Sequence, residues 1–485
     1  MWDSFRYNRA AHDAQTIGTD GERMDEQAES ARDDEVRTRT SRTTRNANGE
    51  RGVDASSAVS ASVASSSASL AAAPDAFAKS DASAQIARAQ QAVPNPNGAG
   101  AVLGLIRSGS AVTRTQIMQV TGLSRSTVAL RLDALLAAGY IAPAAAESST
   151  GGRPPGSFQI NPYAGVMLLA AIGAANMHLA VADMHGTVLV REHDAIDVAL
   201  GPERVLGRVA SLFETLLKKA GQSAARVKGI GIGVPGPVEF AEGRVVRPPI
   251  MTGWDGYRVA DFFASRCYTC PVLVDKDVNL MALGEHRAGW SDTSHMLFVK
   301  VSTGIGAGMI MNHALQRGAH GGAGDLGHLY VGHLVPGEPK LCRCGNYGCL
   351  EAYAAGWAIC RHLNESGHAA QTARDAADLA QRGVREAVEQ MQNAGRLLGE
   401  TIAMAVSLLN PSLVVLGGEL GTRQSDMLAA VRETVYRRSL PLATRHVQIV
   451  NSVLGADAGL LGAAHLVSDA LFAPSVVDAA IGQPA

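Results

Sequence analysis

The sequence predicts an α/β protein of two related halves, preceded by a small basic helical head and a long disordered tail. Three observations carry this expectation. From residue 163 onward, apolar runs of strand length alternate with amphipathic helical stretches, and a similar programme returns after residue 295. Between Val102 and Ile160, three short helical patterns precede a loop rich in glycine and proline. Residues 1 to about 95 show neither period. A hydrophobic content of 46% and 52 glycines in 485 residues suit an α/β chain with a sizeable core.

The tail, residues 1–95, contains the Ser/Ala tract ASSAVSASVASSSASLAAAP and slightly more acidic than basic side chains. Such a segment buries too little apolar surface to offset its ordering entropy, so it reads as disordered and of low complexity. A start codon assigned too far upstream would leave the same pattern.

The head follows at residues 98–160, where Arg107, Arg114, Arg125, Arg131 and Arg153 face only Asp133 and Glu147. Val102, Leu105 and Ile106 mark the first apolar face, Ile117 and Val120 the second, and Val128, Leu132, Leu135 and Leu136 the third. Thr121-Gly122-Leu123 supplies a tight turn, and Ser124 is placed to cap the third helix. That helix then presents Arg125, Ser126, Thr127 and Arg131 from its first turns, the geometry with which a helix-turn-helix reads a major groove. The stretch STGGRPPGSFQI fits a β-wing whose tip carries Arg153 towards backbone or minor groove. A small protein-interaction module of three helices is the alternative, but turn, cap and basic wing agree on double-stranded DNA.

In the first half, VMLLAAI, MHLAVAD and TVLVRE read as three antiparallel strands, followed by a helix through ERVLGRVASLFETLLKKAG and a buried strand VKGIGIGV. In the second, HMLFVKVS and AGMIMN begin a matching set, a helical region covers roughly 371–409, and SLVVLGGEL, HVQIVNS and GLLGAAHLVSDAL close the chain. Two such halves facing a cleft place a ligand at strand ends where they meet. Six cysteines and a start without a charged-then-apolar leader exclude a secreted disulfide scaffold and favour a reducing cytoplasm. No apolar run reaches membrane-spanning length without interruption, since the best, VMLLAAIGAANMHLAVA, breaks at Asn176 and His178. Three of the six cysteines fall in LCRCGNYGCLE, Leu341 to Glu351.

The ordered set VTGLSRSTV, GGRPP, GIGVPGPV, GWDG, VLVDKDVNLMALGE, STGIGAG, GDLGH, CRCGNYGCLEAYAAG and LNPSLVVLGGE resembles the ROK family of transcriptional repressors and sugar kinases, over about residues 98–470. The resemblance implies a winged helix-turn-helix joined to a two-lobed sugar-binding domain of the actin and hexokinase type, residues 163–475. It also implies a homodimer or dimer of dimers, which suits a reader of two-fold symmetric operators.

Cys342, Cys344 and Cys349 offer three thiolates from one glycine-bent loop, and a closed Zn²⁺ site needs a fourth N or S ligand. The resemblance points to His328 in GDLGH, with His333 and His320 as nearby rivals that spacing leaves open. Three reduced core cysteines are the alternative. The CYTC pair, Cys267 and Cys270, has zinc-like spacing but no matching second pair, and reads as packing before PVLV.

Sugars are discriminated by carboxylates that accept hydroxyl hydrogen bonds. Asp277 occupies the position of the kinases' general base. Asp325, in the family's glutamate position, and Glu351, after the cysteine loop, are expected hydroxyl acceptors beside His328. Asp277 could instead be a strand-end turn residue, and Glu351 a carboxylate favoured by a helix N-terminus. Lys276 and Pro249 stand where the family's kinases usually have asparagines. Phosphoryl transfer requires a cradle for the phosphates and a group that orients Mg²⁺. The family's kinases supply these from an Asp-x-Gly-x-Thr hairpin, whereas this chain has Ala171-Ile172-Gly173-Ala174-Ala175. The glycine loop Ser302 to Gly308 persists, but a tight strand connection explains it equally well. The expectation is a zinc-containing repressor of carbohydrate genes that responds to a small sugar or sugar phosphate and has no kinase activity. An ATP-dependent sugar kinase is the alternative, and a third reading keeps the DNA head but replaces the small effector with a partner protein.

Overall fold

The computed structural model describes residues 95–144, 156–266 and 268–482. The expected tail up to residue 94, the wing tip with Arg153, and Cys267 of the CYTC pair therefore lie outside the described residues.

The head begins with helices α1 (Ala99–Arg107), α2 (Arg114–Thr121) and α3 (Arg125–Ala137). Thr113 and Gln116 form a reciprocal capping box on α2, which stops at Gly122 in the left-handed region, φ 69°. Ser124 starts α3 by accepting the Thr127 N–H at 3.2 Å, as its position after the turn predicts. Strands β1 (Ile141–Pro143) and β2 (Phe158–Ile160) pair antiparallel beside it, Ile141 opposite Ile160. One expectation fails here: Val120 is not on the buried face but 59% exposed. The apolar stripe of α2 runs through Ile117 and Met118. At about 100° per residue, Val120 points roughly 100° away from the centre of that stripe.

The first large sheet contains β3 (Val166–Ile172), β4 (Asn176–Asp183), β5 (Val188–Ala195), β6 (Val227–Val234) and β9 (Val272–Lys276) in the order β5-β4-β3-β6-β9. Helix α4 (Pro202–Lys219) covers it. A small hairpin, β7 (Val238–Glu239) with β8 (Arg244–Val245), and helix α5 (Val259–Ala264) precede β9. The second sheet repeats the pattern with β10 (His295–Val301), β11 (Ile305–Met311), β12 (Ala314–Gln316), β13 (Leu413–Gly417) and β14 (Gln448–Asn451), ordered β12-β11-β10-β13-β14. In both, three strands form an antiparallel meander and two more extend it in parallel. This duplication matches the two halves read from the sequence.

Helix α6 (Asp277–Gly289) leaves the first sheet directly after β9. Helices α7 (Glu351–Ala354), α8 (Gly356–Glu365), α9 (Ala373–Gln381), α10 (Arg385–Leu409), α11 (Gly418–Arg423), α12 (Ser425–Arg438) and α13 (Pro441–Thr444) belong to the second half, and α14 (Ala458–Leu471) and α15 (Pro474–Gly482) end the described chain. Each half has its own apolar core, one around Phe213, Trp254 and Phe263 and the other around Met391, Leu398 and Ile402. The head has no separate core. Leu103, Ile117, Leu132 and Leu135 share one cluster with Met167 and Leu169 of β3 and Leu460 and Val467 of α14. Among the described residues no single helix is long and apolar enough to cross a membrane.

Helix α14 also carries His465, whose imidazole burial pushes down to about 4, against the opposing pull of Asp469. A histidine held neutral in the fold but free to protonate near 6.5 when unfolded contributes stability above that pH, and the contribution is lost as the pH falls from about 6.5 towards 4. His465→Gln is therefore expected to remove about 2 kcal/mol of the stability difference between pH 7.5 and pH 5. Urea denaturation of both proteins at the two pH values measures it, and equal pH slopes would contradict the assignment.

Candidate functional site

Where β9 runs into α6, three consecutive residues alternate in charge. Asp275 is buried, and its carboxylate accepts hydrogen bonds from Asn279 at 2.7 Å and from Arg317 Nε at 2.8 Å. Lys276, only 5% exposed, donates from Nζ to Asp325 Oδ1 at 2.7 Å and to the Ala323 carbonyl at 2.9 Å. Asp277 pairs through Oδ2 with Lys300 of β10 and accepts the Val278 N–H through Oδ1. All three partners lie in the second sheet or the loop after it, so an acid-base-acid run meets a base-acid-base set across the junction. Burial of these charges is sustainable because each has an opposite partner and further hydrogen bonds. Sequence reasoning missed Lys300 and Arg317. The signal available was the alternation in Asp275-Lys276-Asp277 at the end of a buried strand, which demands three complementary charges.

The four expected pocket residues gather around the β10–β11 turn. Glu351, buried at the start of α7, accepts the Ile305 N–H from the glycine loop through Oε2 at 3.0 Å. The connection between β10 and β11 is thus only Ser302–Gly304, and the first backbone N–H of β11 holds a carboxylate. Asp325 and His328 bracket a single 3-10 turn, Leu326–His328, in which the His328 N–H reaches the Asp325 carbonyl at 3.1 Å. Asp325 keeps one oxygen unpaired by Lys276, and its side chain is 45% exposed. Pro249, at the other asparagine position, is exposed.

His328, Cys342, Cys344 and Cys349 bring their ligand atoms within 4.8 Å of one another. His328 Nδ1 lies 3.8 Å from Cys342 Sγ, and Cys344 Sγ the same distance from Cys349 Sγ. Ligand atoms at the corners of a tetrahedron with Zn–S bonds of about 2.3 Å stand about 3.8 Å apart, so this donor set fits a closed thiolate-imidazole metal site. Burial and then the neighbouring thiol of Cys344 push the Cys349 thiol up to about 12. Neither His320 nor His333 joins the group; His333 instead stacks on Tyr330. Cys270 packs at the edge of the first core, and burial pushes its thiol up to about 11, the behaviour of a packing cysteine.

The hairpin that would cradle phosphate joins β3 to β4. Ala171 pairs with His178 across it, and the Ala174 and Ala175 carbonyls are engaged by the Val198 and Ile196 N–H groups. No carboxylate or hydroxyl projects from Ala171-Ile172-Gly173-Ala174-Ala175.

On the head, Arg125 and Ser126 are exposed at the first turn of α3, and Thr127 is half-buried. The Ser126 and Thr127 hydroxyls each lie 2.9 Å from Ser124 Oγ. Arg131 points elsewhere: its Nε donates to the Asn97 carbonyl at 3.2 Å, which ties α3 to the segment entering α1.

Residues 169–470 match the ROK family. The xylose repressor of Caldicellulosiruptor bescii is 29% identical over 395 residues, covering 77% of this chain and 96% of that protein. Among solved structures, a ROK family transcriptional regulator homologous to the E. coli MLC protein superposes with a TM-score of 0.66 at 26% identity, over 79% of this chain and 98% of its own. A ROK glucokinase from Streptomyces griseus, crystallised with glucose and AMPPNP, gives 0.54 at 27% identity, over 62% of this chain and 99% of its own.

Proposed function

The chain belongs to the ROK family, and on that premise we propose that it is a DNA-binding transcriptional repressor of carbohydrate genes. Its ROK domain, residues 163–475, senses a sugar or sugar phosphate, and its head, residues 98–160, reads double-stranded operator DNA as a winged helix-turn-helix. The observation that carries this reading is the pairing of a retained set of carboxylates with a hairpin that has alanines where phosphate-binding side chains would stand. Asp325, Glu351 and His328 remain to receive hydroxyls, while Ala171 and Ala175 offer nothing to a nucleotide's metal or phosphates. Coverage of a repressor along almost its whole length, head included, supports regulation over catalysis.

Zinc is the metal that suits one imidazole and three thiolates, held by His328, Cys342, Cys344 and Cys349. It would supply structure, fixing the turn that carries His328 and the loop that leads to Glu351. Asp277 serves the pocket as a binding residue. The DNA contacts are assigned to Arg125, Ser126 and Thr127, with Arg153 on the wing and Arg131 as a support of α3. A homodimer, or a dimer of dimers, working in the cytoplasm fits a two-fold operator.

The test is a thermal-shift screen of neutral sugars and their 6-phosphates, followed by operator binding with and without any compound that raises Tm, since a ligand selective for the folded state stabilises it by mass action. One or more compounds are expected to shift Tm and to change operator affinity, and a coupled ADP assay with the same compound, ATP and Mg²⁺ is expected to stay at background. Turnover of about 1 per second or faster would establish the kinase instead.

A further inference from the structure

Helix α6 starts at Asp277 in the pocket and ends some 20 Å away, at 1.5 Å per residue, beside the head. At that far end its Arg287 donates to Asp469 Oδ2 of α14 at 3.2 Å, while Arg107 of the head's α1 binds the other oxygen, Oδ1. One carboxylate therefore ties the last turn of α6 to the last turn of α1. The side chains are partly covered, between 27% and 41% exposed. Arg107 also lies over the Phe472 ring, 5.5 Å from its centroid, and Tyr140 of the head packs edge-on against the same ring.

The two helices that meet at Asp469 form a stiff pair. A Cβ on Gly284 would fall 2.1 Å from the Ala458 carbonyl oxygen, and one on Gly462 would fall 1.8 Å from that of Leu280, so α6 and α14 touch backbone to backbone. Glu285 of α6 adds a second tie, accepting from Val453 N–H at 2.7 Å and Ser452 Oγ at 2.8 Å in the turn before α14. After α14 the chain turns into α15, where Asp478 accepts the Gly100 N–H at the start of α1 at 2.8 Å. The head is thus gripped at both ends of α1 by the C-terminal segment, but only the Asp469 end is also bonded to the helix that begins in the pocket.

We infer that Asp469 is a positioning residue that locks the orientation of the head to α6, and through α6 to the state of the pocket. Exposed ion pairs of this kind add little stability, roughly 0–1 kcal/mol, so the value of the bridge lies in direction: it ties α1 to one helix and leaves the shared apolar core to hold the fold. A movement of α6 when the pocket fills must either carry Arg107 with it or break the bridge, and both change how α3 is presented. Only this last step rests on the regulator reading.

The closing experiment has two arms on Asp469→Asn, which keeps shape and removes charge, and on Asp469→Glu as the conservative rescue. Without any ligand, hydrogen exchange of the α1 amides is expected to speed up about two- to fivefold in Asp469→Asn, with β6 and β13 unchanged, and to recover in Asp469→Glu. With a sugar that raises the wild-type Tm, Asp469→Asn is expected to bind that sugar as before but to lose most of its effect on operator affinity. Unchanged α1 exchange overturns the clamp, as does a full operator response in Asp469→Asn. A wild-type protein whose operator affinity ignores every bound sugar would sink the regulator reading instead, and the exchange arm would still decide whether the clamp exists.

Discussion

Cys344→Ser is expected to lose its metal, and with it the response to effector, while still binding operator. Cys344 Sγ stands 3.8 Å from Cys349 Sγ in the four-donor cluster, and a serine hydroxyl, neutral at pH 7, does not replace a thiolate on zinc. The Cys342 N–H reaches the Asn346 carbonyl at 2.8 Å and the Gly348 N–H the Lys340 carbonyl at 2.8 Å, and the Val331 N–H binds the Gly348 carbonyl at 2.8 Å, so backbone bonds hold the ends of the loop while the sulfurs at its centre rest on a small cluster of Cys342, Cys349 and Ala352. The consequence passes straight into the pocket, because two residues beyond Cys349 the chain supplies Glu351, and His328 sits one turn from Asp325. Metal analysis should fall from about one zinc per chain to near none, and the effector-induced Tm shift should vanish. The head's apolar cluster contains none of the four ligands, so operator affinity without effector should stay within about threefold of wild type. A variant that retains full zinc, or that loses zinc and still responds, would show that loop and pocket are independent.

The legible parts of this fold were those in which local chemistry acts alone. The Ser124 cap, the Gly122 turn and the duplicated strand sets follow from residues a few positions apart, and the cysteine loop brings three thiols together by its spacing. The resemblance points to His328 as the fourth donor, and the structure places His328 beside the three cysteines. What sequence hid was pairing at a distance. Lys300 and Arg317 are 23 and 42 residues from the carboxylates they meet, and Arg107 is 362 from Asp469. No periodicity encodes such partners; only the packing of elements distant in the chain brings them together. Val120 is the opposite case: its spacing from Ile117 suits a helical face, but on so short a helix the buried stripe runs through Ile117 and Met118 instead.

The Arg131 contact separates two kinds of arginine on one helix, and so sharpens what Arg125→Ala should do. Arg125 is exposed at the first turn of α3, among the hydroxyls of Ser124, Ser126 and Thr127, with no protein partner among the described residues. A guanidinium free in that position can bond a guanine edge in the major groove, a contact worth about 1–3 kcal/mol of discrimination. Arg125→Ala should therefore weaken specific operator binding roughly ten- to a hundredfold, with a much smaller loss on unrelated DNA. Arg153→Ala, if that side chain meets phosphate, should lower affinity evenly across sequences and reduce the salt slope by about one. Arg131→Ala removes a bond to the Asn97 carbonyl and is expected to soften the head, lowering Tm without changing sequence preference. Ser124→Ala is the control for the helix itself, costing about 1 kcal/mol of stability through the lost cap. Footprinting and binding at a stated salt concentration, on operator and on scrambled DNA, sort the four variants. If Arg125→Ala binds both DNAs as wild type does, α3 does not enter the groove by its first turn, and the head docks by some other face.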